Sequence, residues 1–297
     1  MGPSSIDPRR NASGAVHLEL RQLFASYRKA DPAPKRVKPI PLQLLRVAIL
    51  ALQTTVFFKA VADLLIIGYF FLLRPGEHTY LSDPSQHTPF RLEDISFVHD
   101  NKTYNAATAP LPTIQAATAT HLNFTNQKNG VKDEAITHHD NNEPLLSPLK
   151  AVKRRVLHLR HHGAPRHTPL HTVFGCDATQ QVTAQHLTTA LRSACTHVGP
   201  SLGIQSSDIS ARALRAGGAM ALLRAGTPST DTRLFGRWKS WAMLHYLHRS
   251  QTTTQHYATD MLQGGVFTIA RHAKLPADIV PLVQSFDEAH TNNPALR

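Results

Sequence analysis

The sequence predicts an α+β protein, mostly helical, with a small antiparallel β-sheet or hairpin on one side. Three observations predict it. Apolar residues recur at helical spacing through most of 41–73, 148–160 and 183–248. Two stretches between them, 90–98 and 118–125, alternate apolar and polar residues as half-buried strands do. Asn129-Gly130 then falls between strand-like patterns, a strong short-range hairpin signal.

In chain order, residues 1–38 are polar and end in the proline-spaced basic stretch Asp31-Pro32-Ala33-Pro34-Lys35-Arg36-Val37-Lys38, a linker composition. A short helix around 16–28 precedes it. Helices are expected over 41–58 and 60–73, the second ended by Arg74-Pro75-Gly76-Glu77. Proline disfavours helical backbone at the residue before it, so Arg74 belongs at a helix end. Strands follow at 90–98, 118–125 and 131–137, with Lys128 at the hairpin tip, and the Ala/Thr/Pro-rich stretch 103–117 reads as an extended loop. Residues 148–160 form an amphipathic helix. Leu149, Val152, Val156 and Leu159 lie on one face, opposite Lys150, Lys153, Arg154, Arg155 and Arg160. A solvated basic face and a phosphate-contacting one both fit that pattern. Further helices are expected at 183–198, 210–225, 229–235 and 240–248. Ser210, Ser229 and Ser240 serve as N-caps, and Gly226 and Gly236 as stops. The domain organisation expected is a remnant and linker at 1–38, one domain at 39–255 and an irregular tail at 256–297. No internal repeat occurs.

The composition narrows the function. The chain has 297 residues, 41% of them hydrophobic and 18% charged, so it has enough apolar content to build a core and is not a disordered composition. Lys and Arg number 32 against 20 Asp and Glu, a net charge of +12 spread along the chain, which points to a polyanionic partner. Cys176 and Cys195 are the only cysteines and the N-terminus has no apolar signal core, so a reducing compartment is expected and a disulfide framework is not. The 19 histidines form no HExxH and no Cys/His quartet, so no metal is expected. The most apolar region, 42–73, is interrupted by Arg46, Gln53, Lys59 and Asp63, which argues for core helices, a soluble chain and no membrane partner.

The chemistry concentrates in four places. Arg212 and Arg215 stand three apart in Ser-Ala-Arg-Ala-Leu-Arg-Ala-Gly-Gly-Ala, and are expected to share one face near a helix N-terminus, where phosphate is welcome. Small residues at 216–219 permit close approach. Arg74 follows an apolar helix in Leu72-Leu73-Arg74-Pro75-Gly76-Glu77, Lys128 sits in Gln127-Lys128-Asn129-Gly130, and Gly236-Arg237-Trp238 precedes Tyr246. In order and spacing these resemble the tyrosine recombinase (phage integrase, Cre-like) family. The resemblance spans roughly residues 39–249, the family's catalytic domain. The match is arginine with glutamate three residues on, a hairpin lysine, a His-x-Leu-Arg-type helix, and tyrosine ten residues after a glycine.

The resemblance implies a tyrosine recombinase catalytic domain acting on double-stranded DNA, without cofactor. Tyr246 would attack the scissile phosphorus and form a 3′-phosphotyrosyl link as the 5′-hydroxyl leaves. Arg74 and Arg215 would neutralise charge on the non-bridging oxygens, and Lys128 would protonate the leaving oxygen. Arg212 and Arg237 would add phosphate contacts, Glu77 would hold Arg74, and Lys153, Arg154 and Lys239 would contact DNA elsewhere. Lys132 is the alternative to Lys128. Tyr69, Tyr80 and Tyr257 read as packing residues, and Trp238 and Trp241 as core or interface anchors, Trp238 also as a wall of the phosphate pocket. The family's histidine of the third motif is here Arg212, and its His or Trp after the glycine is Arg237. Both keep a cationic donor and give up proton acceptance near neutral pH. That pattern looks like the divergent recombinases of eukaryotic mobile elements, broadly Crypton-like, which implies a nuclear location in a eukaryote and a cytoplasmic one otherwise. The family's helical clamp domain takes roughly a hundred residues. Only the 1–38 segment precedes the match, so the chain reads as a truncated or domesticated element. Family members act as homo-tetramers.

Overall fold

The computed structural model describes residues 16–18, 20–22, 38–82, 88–125, 134–176 and 178–238. All of them lie in the first of the chain's two compact units, Met1–His248 and Arg249–Arg297.

Helix α1 (Leu42–Ala51) and helix α2 (Val56–Phe70) are separate because Gln53-Thr54-Thr55 breaks the apolar run. Thr55 caps α2, its side chain accepting from the Phe58 N–H at 3.1 Å. The single helix expected over 41–58 is therefore two ends and a turn. Within α2 every residue from Ala60 to Tyr69 is buried, so this stretch is wrapped on all sides, by α1 and by four later helices. No helix among the described residues is long and apolar enough to cross a membrane.

After α2 the chain turns through Leu72, which adopts a left-handed φ of 49°, and enters the one-turn helix α3 (Pro75–His78) with Arg74 at its N-cap. A 3-10 turn at Leu92–Asp94 leads into a four-stranded antiparallel sheet. Its strands are β1 (Ile95–His99), β2 (Lys102–Asn105), β3 (Ala119–Phe124) and β4 (Glu134–His139), in the order β2-β1-β3-β4. The β3–β4 register pairs Ala119 with His139 and Phe124 with Glu134, as a hairpin around Asn129-Gly130 requires; the turn itself lies outside the described residues. The stretch 103–117, expected as a loop, contributes to β2 and contains the short helix α4 (Leu111–Ala116), with prolines at its N-cap and at its second position.

Helix α5 (Pro148–His161) buries Leu149, Val152, Val156 and Leu159 as its periodicity predicts. Its cationic residues, however, are not a solvated stripe. Arg155 is buried, its guanidinium donating to the carbonyls of Leu170 and Thr172. Lys153 reaches the carbonyls of Gln115 (2.8 Å) and Ala117 (2.6 Å), and Arg160 those of Ala106 (2.6 Å) and Ala109 (3.1 Å). Arg154 pairs with Asp63, buried in α2, at 2.6 Å. These cations tie α5 to its neighbours by satisfying buried acceptors.

A second hairpin, β5 (Thr172–Phe174) and β6 (Thr179–Gln181), precedes helix α6 (Ala184–Val198), which Thr183 caps through the His186 N–H. Helix α7 (Ala213–Arg224) and helix α8 (Ser229–Phe235) complete the described unit, and the helix expected at 240–248 lies outside the described residues. Ser210 and Ser229 do not act as side-chain caps. The N-cap positions belong to Arg212 and Pro228, and neither has a side-chain cap bond. Gly226, at φ 87°, stops α7 as predicted. The chain is thus α+β and mostly helical, with its small antiparallel sheet adjoining α4 and α5.

Candidate functional site

Gly217 and Gly218 decide where α7 sits. A β-carbon at either would overlap backbone: Ile40 at Gly217, Tyr69 at Gly218. Without side chains there, α7 lies directly against the C-terminal end of α2, and Arg215 is brought beside the turn that presents Arg74. The small-residue run therefore does what the sequence suggests, a close helix–backbone approach.

Glu77 is the centre of the cluster. Its carboxylate accepts from the Arg74 N–H at 2.7 Å and from the Arg74 guanidinium at 2.9 Å, and it pairs with Arg237 at 3.2 Å. Burial by itself would raise the Glu77 carboxyl. The Arg237 charge, the Arg74 N–H and the charges of Arg74 and Arg215 outweigh it and hold the group below the usual carboxylate range. Three arginines distant in sequence thus act on one carboxylate.

Arg74 keeps a quarter of its side-chain surface exposed, whereas Arg215 and Arg237 are each only 5% exposed. Arg215 donates to the Gly236 carbonyl, and its guanidinium lies 4.3 Å from the centre of the Trp238 ring. Trp238 in turn covers Gly236, where a β-carbon would collide with the indole. Gly236 has an ordinary helical φ of −79°, so the indole and not the backbone conformation requires glycine there.

Arg237 takes the left-handed conformation, φ 58°, just past the end of α8. Its Nη1 donates to the carbonyls of Phe71 and Phe235, its Nη2 to Leu72 and Glu77, and its guanidinium stacks 4.0 Å over Phe124. Burial lowers its pKa, opposed by Glu77. The side chain clamps the Leu72 turn to the sheet and to Glu77. Arg212 behaves differently from Arg215: α7 starts at Ala213, so Arg212 sits at the N-cap facing solvent while Arg215 is buried. The shared face expected from their spacing does not form.

The structure therefore brings together Arg74, Glu77, Arg215 and Arg237, and places Arg212 at the solvent-facing end of α7. Lys153 and Arg154 lie on α5, bonded to the carbonyls of Gln115 and Ala117 and to Asp63. Tyr246, Lys128, Lys239 and the alternative Lys132, with Tyr257 and Trp241, lie outside the described residues. Among the described residues no cluster of His, Cys, Asp and Glu is arranged to hold a metal ion. Tyr69 packs as expected, burial pushing its phenol up to about 12, but Tyr80 is exposed.

No family model and no curated protein matches this chain. Among solved structures it is similar to the integrase of the Tn1549 transposon, determined in complex with transposon right end DNA. The identity is 13%, the TM-score 0.43, and the match covers 80% of this chain and 68% of that one. A likeness that distant says nothing of function.

One residue of the cluster that sequence reasoning missed is His78, fully buried behind Arg74. Its Nδ1–H donates to the Arg74 carbonyl at 3.0 Å, and its Nε2 has no hydrogen-bond partner. Burial pushes His78 down to about 4, with Arg74 and Glu77 opposing and His171 assisting. Burial also pushes His171 down to about 4, opposed by its Gln181 bond and aided by Arg155. An unfolded histidine titrates near 6.5, so the unfolded chain takes up protons that the folded one refuses. The stability these two contribute is full above pH 6.5 and is lost as pH falls through about 4. Asp63 works the other way: burial raises it to about 6, against Arg154 and Arg155, so the folded state gains as pH falls from there towards 3.8. His158 is pushed down to about 4 in the same way, first by burial, so three histidines oppose one aspartate. Lowering the pH from neutral to about 4 is expected to cost roughly 3 kcal/mol or more, at ~1.4 kcal/mol per pKa unit. Urea midpoints at the two pH values measure it, and a midpoint that does not fall contradicts it.

Proposed function

We propose that this chain cuts and rejoins double-stranded DNA through a 3′-phosphotyrosyl intermediate at Tyr246, in the manner of the tyrosine recombinases. The observation that carries the proposal is the convergence of Arg74 and Arg215 on Glu77, because these are the arginines of the first and third motifs. Their guanidinium forks suit the non-bridging oxygens of one phosphate. Charge building there in the transition state would be met by donors already fixed in place, Arg74 by Glu77 and Arg215 by Trp238 and the Gly236 carbonyl. In this scheme Lys128 protonates the leaving 5′-oxygen and Tyr246 supplies the nucleophile. A hydroxyl from another strand end reverses the step, so no metal, cofactor or ATP is consumed.

Arg237 takes a different part from the phosphate contact that its motif position implies. Its Nη groups donate to three backbone carbonyls and Glu77, so in this proposal it is a positioning residue for the arginine turn. The Crypton-like affiliation, action as a homo-tetramer and a nuclear location in a eukaryote remain parts of the same proposal, supported by the motif pattern alone.

A DNA substrate whose cleaved end diffuses away is expected to trap a covalent adduct with the wild-type chain and none with Tyr246→Phe. An adduct that survives the substitution would sink the assignment. A second reading, a DNA-binding protein that has lost catalysis, draws on Arg212 and Arg237, which stand where the family has a histidine and a histidine or tryptophan. Its signature is binding that weakens steeply with salt and no adduct.

A further inference from the structure

We infer that the cavity beside Tyr80 takes one unstacked nucleobase with its phosphate; this rests on the proposed DNA function and adds a second contact to it. The cavity is about 470 Å³, within the range of small-ligand sites, and is open to solvent.

Tyr80 follows Glu77 by three residues and is held firmly. Its N–H donates to the Val182 carbonyl at 2.8 Å, and it bridges to Thr183 at the start of α6. Its ring nevertheless leaves the residue 46% exposed, so a planar face is on offer from a fixed backbone. Behind it stands His171, buried, its ring centre 5.9 Å from that of Tyr80 at an interplanar angle of 84°. His171 is itself fixed by its Nδ1–H donating to Gln181 Oε1 at 2.7 Å. An exposed ring with a rigid support behind it is a stacking platform, and stacking on such rings is how proteins hold unpaired bases.

The rest of the wall supplies what a base edge and a phosphate need. Ser82 and Thr88 bring hydroxyls and His167 an imidazole, which donate to and accept from a heterocycle edge. Arg91, on the wall, and Arg166, just outside it, share the single carboxylate of Glu93, at 3.5 and 3.4 Å. Asp94 also faces Arg91, accepting from its N–H at 2.8 Å, but the Arg91 and Arg166 side chains stay 40% and 78% exposed, so guanidinium donors remain at the mouth for a phosphate. A flat ring and an anion on one ligand describe a nucleotide better than a sugar or an acidic peptide.

The cavity is also registered to the arginine cluster. The Glu77 carbonyl accepts from the Phe90 N–H at 2.9 Å, and the Phe90 carbonyl accepts from the Leu170 N–H at 2.8 Å. The segments lining the cavity are thus anchored to the residue that holds Arg74. A base leaving the stack near the reacting phosphate would have a place to go.

The experiment compares the full chain's affinity for a fully paired duplex and for the same duplex with one unpaired fluorescent aminopurine. The wild-type chain is expected to prefer the second roughly tenfold, as one base stacked on an aromatic ring allows, and to quench its fluorescence. Tyr80→Ala is expected to bring that ratio to about one and abolish the quenching. Tyr80→Phe, which keeps the ring, is expected to retain both. If Tyr80→Ala does not fold, Tyr80→Leu reads out the same loss with bulk but no ring. Equal wild-type affinities, or a preference that survives loss of the ring, overturn the inference and leave the cutting function standing. Binding to neither duplex at low salt overturns both.

Discussion

Replacing Glu77 by alanine is expected to destabilise the chain by about 3–5 kcal/mol, the usual cost of breaking a buried ion pair from one side. The carboxylate is the shared partner of Arg74 and Arg237, and it also caps the Arg74 N–H at 2.7 Å. Its removal leaves the Arg237 guanidinium buried against the carbonyls of Phe71, Leu72 and Phe235 without the carboxylate that it bonds, Glu134 being the other anion that acts on it. Domain stabilities are typically about 5–15 kcal/mol, so the loss is a large share of the total. Glu77→Gln keeps an acceptor but no charge, and should fall between wild type and alanine. Urea unfolding measures both, with an unchanged slope showing that stability alone has moved. A cost below about 1 kcal/mol for the alanine variant would mean that the pair is no stronger than an exposed one.

The second large effect concerns rate. On the proposed function, Arg215→Lys is expected to slow strand cleavage about 10²–10³-fold, the range for removing one pre-positioned electrostatic donor. Lysine keeps the charge, so duplex affinity and its salt dependence should hardly change. What it gives up is the planar fork and the stack on Trp238, where the guanidinium lies 4.3 Å from the ring centre. Single-turnover cleavage of the trapping substrate, with binding measured alongside, separates the two quantities. A rate within a factor of about three of wild type would remove Arg215 from the reacting phosphate.

The fold was legible in the sequence wherever burial imposes a period. The faces of α5 and α6, the all-round apolar α2 and the alternation in β3 follow directly from residue spacing. Pro75 places Arg74 at a helix end, because a proline constrains its predecessor whatever the tertiary context. The missed features depend on partners far away in the chain. Nothing local separates Arg155, which donates to Leu170 and Thr172, from Arg154, whose partner is Asp63. The break at Gln53-Thr54-Thr55 lies inside an apolar run and shows only as a threonine cap. In the Ala- and Thr-rich 103–117 stretch, weak propensities left β2 and α4 to be decided by packing.

The site divides the same way. Arg74, Glu77 and Arg215 were readable from motif spacing. The clamping geometry of Arg237 was not, because it depends on a left-handed φ and on carbonyls about 165 residues earlier. His78 had no sequence signal beyond its place after Glu77, and its neutrality comes first from burial, with the His171 charge assisting. The unlike environments of Arg212 and Arg215 come from α7 beginning at Ala213.

The reach of that clamp orders events during synthesis. Arg237 lies 160 positions after the Glu77 that it pairs with, and 165 after the Leu72 turn that it holds. At translation rates of ~5–20 residues per second, roughly eight to thirty seconds separate their emergence from the ribosome. Throughout that interval the arginine turn has been made and its fastener has not. A nascent chain that ends before residue 237 therefore carries Arg74, Glu77 and Arg215 without the side chain that locks them in register, and the complete cluster belongs to the finished chain.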